Sequence, residues 1–256
     1  MSRNRAAETV IYIKKDQGLY MRLNQYIASC GVCSRRDADK LIEDNRITVN
    51  GAPATLGTRV EAGDEVKLDG KTIQAASKSV VLAYYKPVGV VCTEKDKHAK
   101  ENVIENLGFS ERVTYAGRLD KDSEGLLIMS NDGKLIDAMM RGANKHEKEY
   151  EVVVDKPLSG ELLNKLANGI YLPELDRITR GCKVKRTGTK SFNIILTQGL
   201  NRQIRRMCKE VGLKVLSLKR IRVMTVSLKD YKLTPGKYAE LSDKDKNKLY
   251  AACGLK

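Results

Sequence analysis

The chain has 256 residues, of which 47 are lysine or arginine and 32 are aspartate or glutamate, so its formal net charge is +15. This length suits one or two domains with a buried core, and so positive a charge attracts polyanions such as nucleic acids. No apolar run approaches the roughly 20 residues of a membrane helix, and the apolar stretch at residues 10–13 is too short for a signal peptide. We therefore expect a cytoplasmic protein with a nucleic-acid partner and no membrane partner.

Two short helices are predicted after an irregular, polar arm that covers residues 1–18. Apolar residues recur at helical spacing over residues 23–30, and the glycine that follows ends this first helix. Ser34 is suited to cap the second helix, because Asp37 occupies the position that a capping box reserves for an acidic residue. The second helix is predicted to bury Ala38, Leu41 and Ile42.

Short strands and tight turns follow these helices. Residues 47–51 are predicted to form a strand that ends in an Asn-Gly turn, and residues 66–73 a hairpin around an Asp-Gly turn. Arg35 and Arg36 stand in the first turn of the second helix, where the helix dipole disfavours cations by a few tenths of a kcal/mol each. A bound phosphate backbone would offset this cost, although a solvated surface turn explains the same pattern.

The same part of the chain resembles the S4 domain, a small RNA-binding module of ribosomal protein S4 and of several RNA-modifying enzymes. The resemblance is carried by residues 22–28, 33–38 and 47–51. It implies that residues 19–75 bind structured RNA, and it implies no chemistry. The candidate RNA contacts in this module are Arg22, Arg35 and Arg36.

A small, polar linker at residues 76–80 leads to a larger part, residues 81–256. Predicted strands there cover residues 80–85, 126–129, 150–154, 191–197, 213–226 and 238–241, and predicted helices cover residues 134–140, 159–168 and 242–251. Residues 86–89 are predicted to be the turn that leaves the first strand. Because helices do not alternate regularly with strands, we predict an α+β fold with a mixed, mostly antiparallel sheet and flanking helices.

A charged loop bounded by glycines, residues 117–125, leads directly into the short apolar strand at residues 126–129. Asp120 lies in this loop, and catalytic groups often lie on loops that a rigid sheet holds in place. Most loop aspartates only cap turns, so the local pattern by itself leaves both roles open.

A second feature is a basic helix predicted after residue 201. One helical face is apolar and is formed by Ile204, Met207, Cys208 and Val211. The remaining surface is positively charged and carries Arg202, Arg205, Arg206 and Lys209. Like charges one turn apart repel each other by about 0.2–0.5 kcal/mol per pair. Counter-charges such as an aspartate and RNA phosphates therefore explain the cluster better than solvent alone.

No metal or cofactor site is predicted. Cys30 and Cys33 form one C-x-x-C motif, but no second pair or nearby histidine completes a zinc site. Reduced thiols are the simplest interpretation of the six cysteines. The chain has two histidines and neither a G-x-x-x-x-G-K-[ST] nor a G-x-G-x-x-G loop, so no nucleotide site is indicated.

Four segments of the larger part resemble the small-ribosomal-subunit branch of RNA pseudouridine synthases, which also includes several large-subunit rRNA enzymes. The matching segments are residues 86–89, 117–120, 148–150 and 199–207. Together with the S4 resemblance they span the chain from residue 21 to about residue 250. Residues 146–150 and 198–202 are most similar to the F-type members of the branch, which modify 23S rRNA.

This resemblance implies a reaction and the residues that perform it. Asp120 would be the catalytic carboxylate, acting at the ribose of a flipped-out uridine so that the glycosidic bond breaks and the base re-bonds through C5, without a cofactor. Arg205 would pair with Asp120 and keep it ionised, because an opposite charge lowers a carboxylate pKa. Tyr150 would stack on the uracil. Further implied RNA contacts are Arg118, Lys148, Arg202 and Arg206.

Two alternatives stay open on the sequence. A non-catalytic RNA-binding protein explains the charge and the helix arginines, but it does not explain an acidic loop in a chain otherwise suited to phosphate. The same chemistry on 16S rRNA or on a tRNA anticodon loop is also compatible, since recognition in this class depends on RNA shape. A monomer is the default expectation for the oligomeric state.

Overall fold

The computed structural model describes residues 13–14, 19–74, 78–93 and 101–255. The chain divides into two compact units, residues 1–79 with 110–113 and residues 80–109 with 114–256. The predicted linker at residues 76–80 spans this division, and its residues 76 and 77 lie outside the described residues. Of the arm predicted over residues 1–18, only Ile13–Lys14 is described.

The described part of the first unit contains two helices and two small sheets. Its strands are β1 (Ile13–Lys14), β2 (Leu19–Arg22), β3 (Ile47–Val49), β4 (Ala52–Pro53), β5 (Arg59–Glu61), β6 (Val66–Leu68) and β7 (Lys71–Thr72), and its helices are α1 (Leu23–Ser29) and α2 (Arg35–Glu43). One sheet has the strand order β1-β2-β5, and the other has the order β4-β3-β6-β7. Because β1 pairs with β2, Ile13 and Lys14 form a strand, whereas irregular chain was predicted at these positions.

Local signals explain where these elements begin and turn. The Ser34 hydroxyl accepts a bond from the Asp37 backbone N–H at 3.2 Å and donates to the Asp37 carboxylate at 2.6 Å, which confirms the predicted cap of α2. Asn50 and Asp69, each followed by glycine, have φ angles of 52° and 49°. These left-handed residues form the predicted Asn-Gly turn after β3 and the predicted Asp-Gly turn of the hairpin over residues 66–73. The buried core of the unit includes Leu23, Ile27, Ala38, Ile42, Ile47, Val60 and Val66.

The second unit contains the other elements. Its strands are β8 (Val81–Lys86), β9 (Thr114–Ala116), β10 (Glu124–Ser130), β11 (Lys148–Val154), β12 (Tyr171–Leu172), β13 (Arg177–Ile178), β14 (Lys183–Arg186), β15 (Ser191–Leu196), β16 (Val215–Val223), β17 (Val226–Ser227) and β18 (Tyr238–Glu240). Its α-helices are α3 (Val103–Leu107), α4 (Gly133–Met140), α5 (Gly160–Asn168), α6 (Gln203–Glu210), α7 (Leu228–Tyr231) and α8 (Asp243–Ala252). None of the helices in the described part of the chain has the length and apolar character needed to cross a membrane.

The large sheet has the strand order β14-β15-β11-β16-β10-β8-β18, with β9 paired to β10 and β17 paired to β16. Strands β10 and β16 run parallel, and the other pairs of named strands in the described part of this sheet are antiparallel. The predicted α+β fold with a mixed, mostly antiparallel sheet and flanking helices is therefore confirmed. One local prediction is wrong: Lys86 ends strand β8 and is fully buried, whereas the sequence placed it in a turn.

One row of directly paired residues crosses this sheet from β8 to β14. In order, the row contains Lys86, Gly125, Arg220, Tyr150, Ile194 and Val184. Residues that face each other on adjacent strands project to the same side of a sheet. The row therefore places Tyr150 and two buried cations, Lys86 and Arg220, on one face, at the point where the Asp120 loop enters β10.

Candidate active site

The loop that carries Asp120 enters the sheet where β10 and β16 make an unusually close approach. Gly125 of β10 pairs with Arg220 of β16, and a Cβ placed on Gly125 would lie 2.3 Å from the Arg220 carbonyl oxygen. The φ angle of Gly125 is 112°, a conformation that side chains rarely adopt. Glycine is therefore required here for two reasons, and its absence of a side chain lets the loop lie directly against β16.

Lys86 and the turn after it hold the second half of the loop. The Lys86 ammonium donates to the Ser123 carbonyl at 2.8 Å, and the Gly89 N–H donates to the Lys121 carbonyl at 2.7 Å. Burial lowers the pKa of Lys86 to about 8, although the nearby Asp120 carboxylate acts in the opposite direction. The loop backbone is thus fixed by a buried donor from β8.

Arg220 holds the two ends of the same loop. Its guanidinium donates to the Arg118 carbonyl at 3.4 Å and to the Leu126 carbonyl at 2.7 Å, and the residue is only 1% exposed. Its Nη2 atom is buried and has no hydrogen-bond partner among the residues that the structure describes. Because a buried charge is costly unless it is bonded, these two carbonyl bonds are what keeps Arg220 in place. Arg220 and Lys86 together preorganise the backbone on both sides of Asp120.

Two carboxylates of the loop face arginines at the start of α6. The Arg202 guanidinium lies 3.6 Å from the Asp120 carboxylate and forms two bonds with the Asp122 carboxylate, at 3.1 and 2.8 Å. Hydrogen bonding by Arg202 is the main reason that the pKa of Asp122 is lowered, and the charge of Arg205 contributes. Asp120 thus sits in a positive environment in which Arg202 is its nearest cation among the described residues.

The predicted ion pair between Arg205 and Asp120 is not the one that forms. Arg205 instead lies 3.3 Å from the Asp122 carboxylate and donates to the Asp122 carbonyl at 2.8 Å and to the Ser123 hydroxyl at 3.2 Å. The reason is local: Arg202 precedes α6 in a left-handed conformation, with a φ angle of 50°, and reaches both carboxylates. Arg205, almost one turn further along, reaches the backbone of the loop.

Tyr150 and Lys148 lie at the start of β11. Tyr150 is half-buried, packs against the apolar core beneath α5 and α6, and is one strand away from Arg220. Lys148 is also half-buried, and its ammonium approaches the His146 carbonyl at 3.5 Å. Burial, followed by the nearby charge of Arg220, lowers the pKa of Lys148. The structure therefore places Lys148 beside the row of paired residues and not on a free strand edge.

The other predicted RNA contacts fall into three places. Arg118 is exposed at the beginning of the loop. Arg206 points to a different part of the unit, where it pairs with Glu174 and donates to the Asn201 carbonyl at 3.0 Å. The structure thus gathers Arg118, Arg202 and Arg205 around Asp120 and separates Arg206 from them. The arginines predicted in the first unit are all exposed, and they are Arg22, Arg35 and Arg36.

Sequence reasoning missed three residues of this site. Lys86 was assigned to a turn, Asp122 was regarded as the second candidate for the catalytic carboxylate and not as an arginine partner, and Arg220 was not considered. A signal for Arg220 was present, because it stands two residues after the buried Leu218, and strand periodicity puts both on the same face. An arginine on a buried strand face indicates a specific bonding role.

The cysteines show no sign of catalytic activation. All six are free thiols. Burial raises the pKa of Cys30 to about 12 and also raises the pKa of Cys33, whereas a nucleophilic thiol needs a lowered pKa. No group of three or more His, Cys, Asp or Glu side chains suited to a metal ion occurs among the residues that the structure describes.

Two family models match the chain. The S4 domain matches residues 21–66, and the RNA pseudouridylate synthase family matches residues 80–210, which is just over half of the 256 residues. The chain belongs to the RNA pseudouridine synthases. The resemblance found in the sequence is therefore confirmed at the level of both modules, and the protein is an enzyme that isomerises uridine in RNA.

Individual relatives agree with this assignment. The synthase is 44% identical over 225 residues to the dual-specificity RNA pseudouridine synthase RluF of Escherichia coli K12, a match that covers 87% of this chain and 76% of the relative. It is 34% identical to the ribosomal large subunit pseudouridine synthase B of Pseudomonas aeruginosa, covering 92% of this chain and 63% of that protein. The crystal structure of a pseudouridylate synthase superposes with a TM-score of 0.65 at 25% identity, covering 90% of this chain and 99% of the other.

Proposed function

We propose that this synthase converts one or a few uridines of ribosomal RNA to pseudouridine, and that its main substrate is the 23S rRNA of the large subunit. The large-subunit name of the Pseudomonas aeruginosa relative and the similarity to RluF support this substrate. RluF is named a dual-specificity enzyme, which supports a second RNA substrate for this synthase, and we propose a tRNA anticodon loop as that substrate. The enzyme is proposed to act as a cytoplasmic monomer.

The observation that carries the proposal is the setting of Asp120. Its carboxylate is half-exposed on a loop whose backbone is fixed by Lys86 and Arg220, and Arg202 lies 3.6 Å away. In the reaction the bond from C1′ to N1 breaks and a bond from C1′ to C5 forms. The C5 proton leaves and N1 gains a proton, so the product is an isomer of the substrate. Asp120 would act at the ribose, either as a nucleophile or as a base, and both roles need an ionised carboxylate.

The neighbouring residues have supporting roles in this proposal. Arg202 would orient the Asp120 carboxylate, and Arg205 would fix the loop through Asp122 and Ser123. Tyr150 would stack on the flipped uracil, which offsets the few kcal/mol that unstacking a base costs. No step in this scheme needs a metal ion or an organic cofactor.

The RNA would be held by cations of both units. In the second unit the proposed contacts are Arg118 and Arg202 at the Asp120 loop, Lys148 at the start of β11, and Arg206, which points to a different part of the unit. In the first unit they are Arg22, which ends β2 directly before α1, and Arg35 and Arg36, which begin α2. Arg206 can reach a phosphate only when its bond with Glu174 opens, so its contribution should be the smallest of the second group.

Mapping of pseudouridine in rRNA and tRNA, from cells with and without the gene, tests the substrate. In cells without the gene, pseudouridine should be lost at positions in 23S rRNA. Loss of pseudouridine only in 16S rRNA or only in tRNA would contradict the substrate proposal. The site is tested with Asp120→Asn, which keeps the shape and removes the anion. RNA binding should persist while turnover falls to background. Near-normal turnover of pure Asp120→Asn protein would overturn the role of Asp120.

A further inference from the structure

One stretch of the second unit is charged in a way that the active site does not use. Residues 177–190 contain six basic residues and no acidic residue. All six are exposed, and they are Arg177, Arg180, Lys183, Lys185, Arg186 and Lys190. We call this set the basic edge, because β14 is the last strand at one end of the large sheet.

Neighbouring carboxylates do not neutralise the basic edge. Glu147 lines the same shallow cavity as Lys183, but it is bound to Arg222 at 2.9 Å. Glu174 is bound to Arg206 and Lys209, and Asp176 accepts a bond from the Tyr171 hydroxyl at 2.9 Å. Within the described part of the chain, no residue of the basic edge forms an ion pair with a carboxylate.

The backbone that presents these cations is anchored. Thr179 is only 3% exposed, and its N–H donates to the Ile170 carbonyl at 2.9 Å. The Cys182 N–H donates to the Ala167 carbonyl at 2.8 Å, and the Arg186 guanidinium is bonded to the Leu158 carbonyl. The charges therefore sit on a fixed surface, so binding a partner there costs little ordering of the backbone.

Protection of the sheet edge is the simplest alternative explanation for these positive charges, because edge strands often carry a lysine that prevents pairing with other chains. It explains Lys183 and Lys185, which lie on β14. It can also explain Arg177, which lies on the edge strand β13, but it does not explain Arg180 and Lys190, which lie outside the named strands. Nor does it require a single sign of charge, since a glutamate blocks edge pairing equally well.

The position of the basic edge relative to Tyr150 indicates its partner. Val184, between Lys183 and Lys185, is paired with Ile194, which is paired with Tyr150. Two strand spacings separate β14 from β11, a distance of about 10 Å. Alternation along β14 puts Val184 and Arg186 on the face of Tyr150, and Lys183 and Lys185 on the opposite face. RNA whose uridine lies at Tyr150 would therefore meet these cations where its backbone passes over this edge of the sheet.

We infer that the basic edge binds the phosphate backbone of the substrate RNA outside the modified uridine. The charge is complementary to an RNA chain, and each phosphate contact should add to the salt dependence of binding. This inference rests on the proposed function, because it assumes that the RNA enters the site at Asp120 and Tyr150.

The test compares two triple variants of the full chain. Lys183→Gln, Lys185→Gln and Lys190→Gln are combined in one protein, and Lys229→Gln, Lys237→Gln and Lys244→Gln in the control, which removes three equally exposed lysines of the same unit. The probe is a labelled transcript of the 23S rRNA region that contains the mapped uridine. The first variant should bind it roughly tenfold more weakly, with a salt slope smaller by about two. The control should bind like the wild type.

A third variant separates RNA binding from edge protection. Lys183→Glu, Lys185→Glu and Lys190→Glu are combined in this variant, which retains a charge at each position. If the charges only prevent pairing of the strand with other chains, affinity for the transcript should not change. That result would overturn the inference. Equal affinity and salt slope for the Lys→Gln variant and the control would also overturn it. Neither result depends on turnover, whereas the role of Asp120 is decided by turnover of Asp120→Asn, so the two failures can be told apart.

Discussion

The two units of this synthase carry their charge in different ways. Residues 19–74 contain eight basic and eight acidic residues, so the net charge of +15 lies outside the S4 module. In the second unit, buried cations hold the backbone of the Asp120 loop, and exposed cations form the basic edge. Under the proposed function, the S4 module would therefore contact RNA with a few placed arginines, whereas the catalytic unit would supply most of the electrostatic attraction.

The largest effect is expected from Gly125→Ala, which tests whether the catalytic unit depends on one close strand contact. An added Cβ would lie 2.3 Å from the Arg220 carbonyl oxygen, so β10 and β16 must separate. We expect a loss of about 3 kcal/mol or more in the stability of the second unit and at least a hundredfold loss of turnover. Gly142→Ala is the control, because no atom lies within 4 Å of a Cβ placed there. Thermal unfolding and turnover should be measured for both variants. Equal stability and equal turnover of the two would contradict the prediction.

A smaller effect is expected from Asp122→Asn. This change weakens the bonds that hold Arg202 and Arg205 against the loop, so turnover should fall roughly tenfold to a hundredfold. Glu124→Gln is the matched control in the same loop, because its remaining amide oxygen can still accept the bond from Tyr85 that the wild type has at 2.9 Å. Single-turnover rates at saturating RNA compare the two. Similar losses in both variants would mean that Asp122 contributes only general loop charge.

Substitutions in the S4 module should change the affinity for RNA and have a much smaller effect on the turnover rate. Changing Arg35 and Arg36 together to glutamate should weaken RNA binding several-fold and lower the salt slope by about two. Arg46→Gln is the control, since Arg46 is already paired with Asp69 at 3.0 Å. Binding titrations at several salt concentrations measure both quantities. A salt slope identical to that of the wild type would remove these two arginines from the RNA interface.

The smallest effect concerns pH. Burial lowers the pKa of Lys86 from 10.5 to about 8, so between these values the unfolded chain binds the proton more strongly than the folded one. Stability from this group therefore rises with pH across that window, by at most about 1.4 kcal/mol per pH unit. The free energies of unfolding of the wild type and of Lys86→Met can be measured at pH 7 and pH 10. Their difference should shift in favour of the wild type at the higher pH. A difference that does not change with pH would contradict a buried, charged Lys86.

Much of the fold could be predicted because its signals are local. The cap at Ser34, the Asn-Gly and Asp-Gly turns and the strand after the Asp120 loop all depend on residues within a few positions of each other. The partners of the site could not be predicted in this way. Arg205 and Asp122 are 83 residues apart, and Arg220 reaches a carbonyl 102 residues away. Which of two nearby aspartates meets which of two nearby arginines depends on how the strands pair.

The pairing of Gly125 with Arg220 also has a consequence for how the enzyme is made. The bonds from Arg220 to Leu126 and Arg118 close loops of 94 and 102 residues, and contacts between such distant parts of a chain form late in folding. The S4 module precedes them in the chain and relies on contacts between much closer residues, so it can fold first as the chain leaves the ribosome. The nascent protein would then be able to hold RNA before it can modify it.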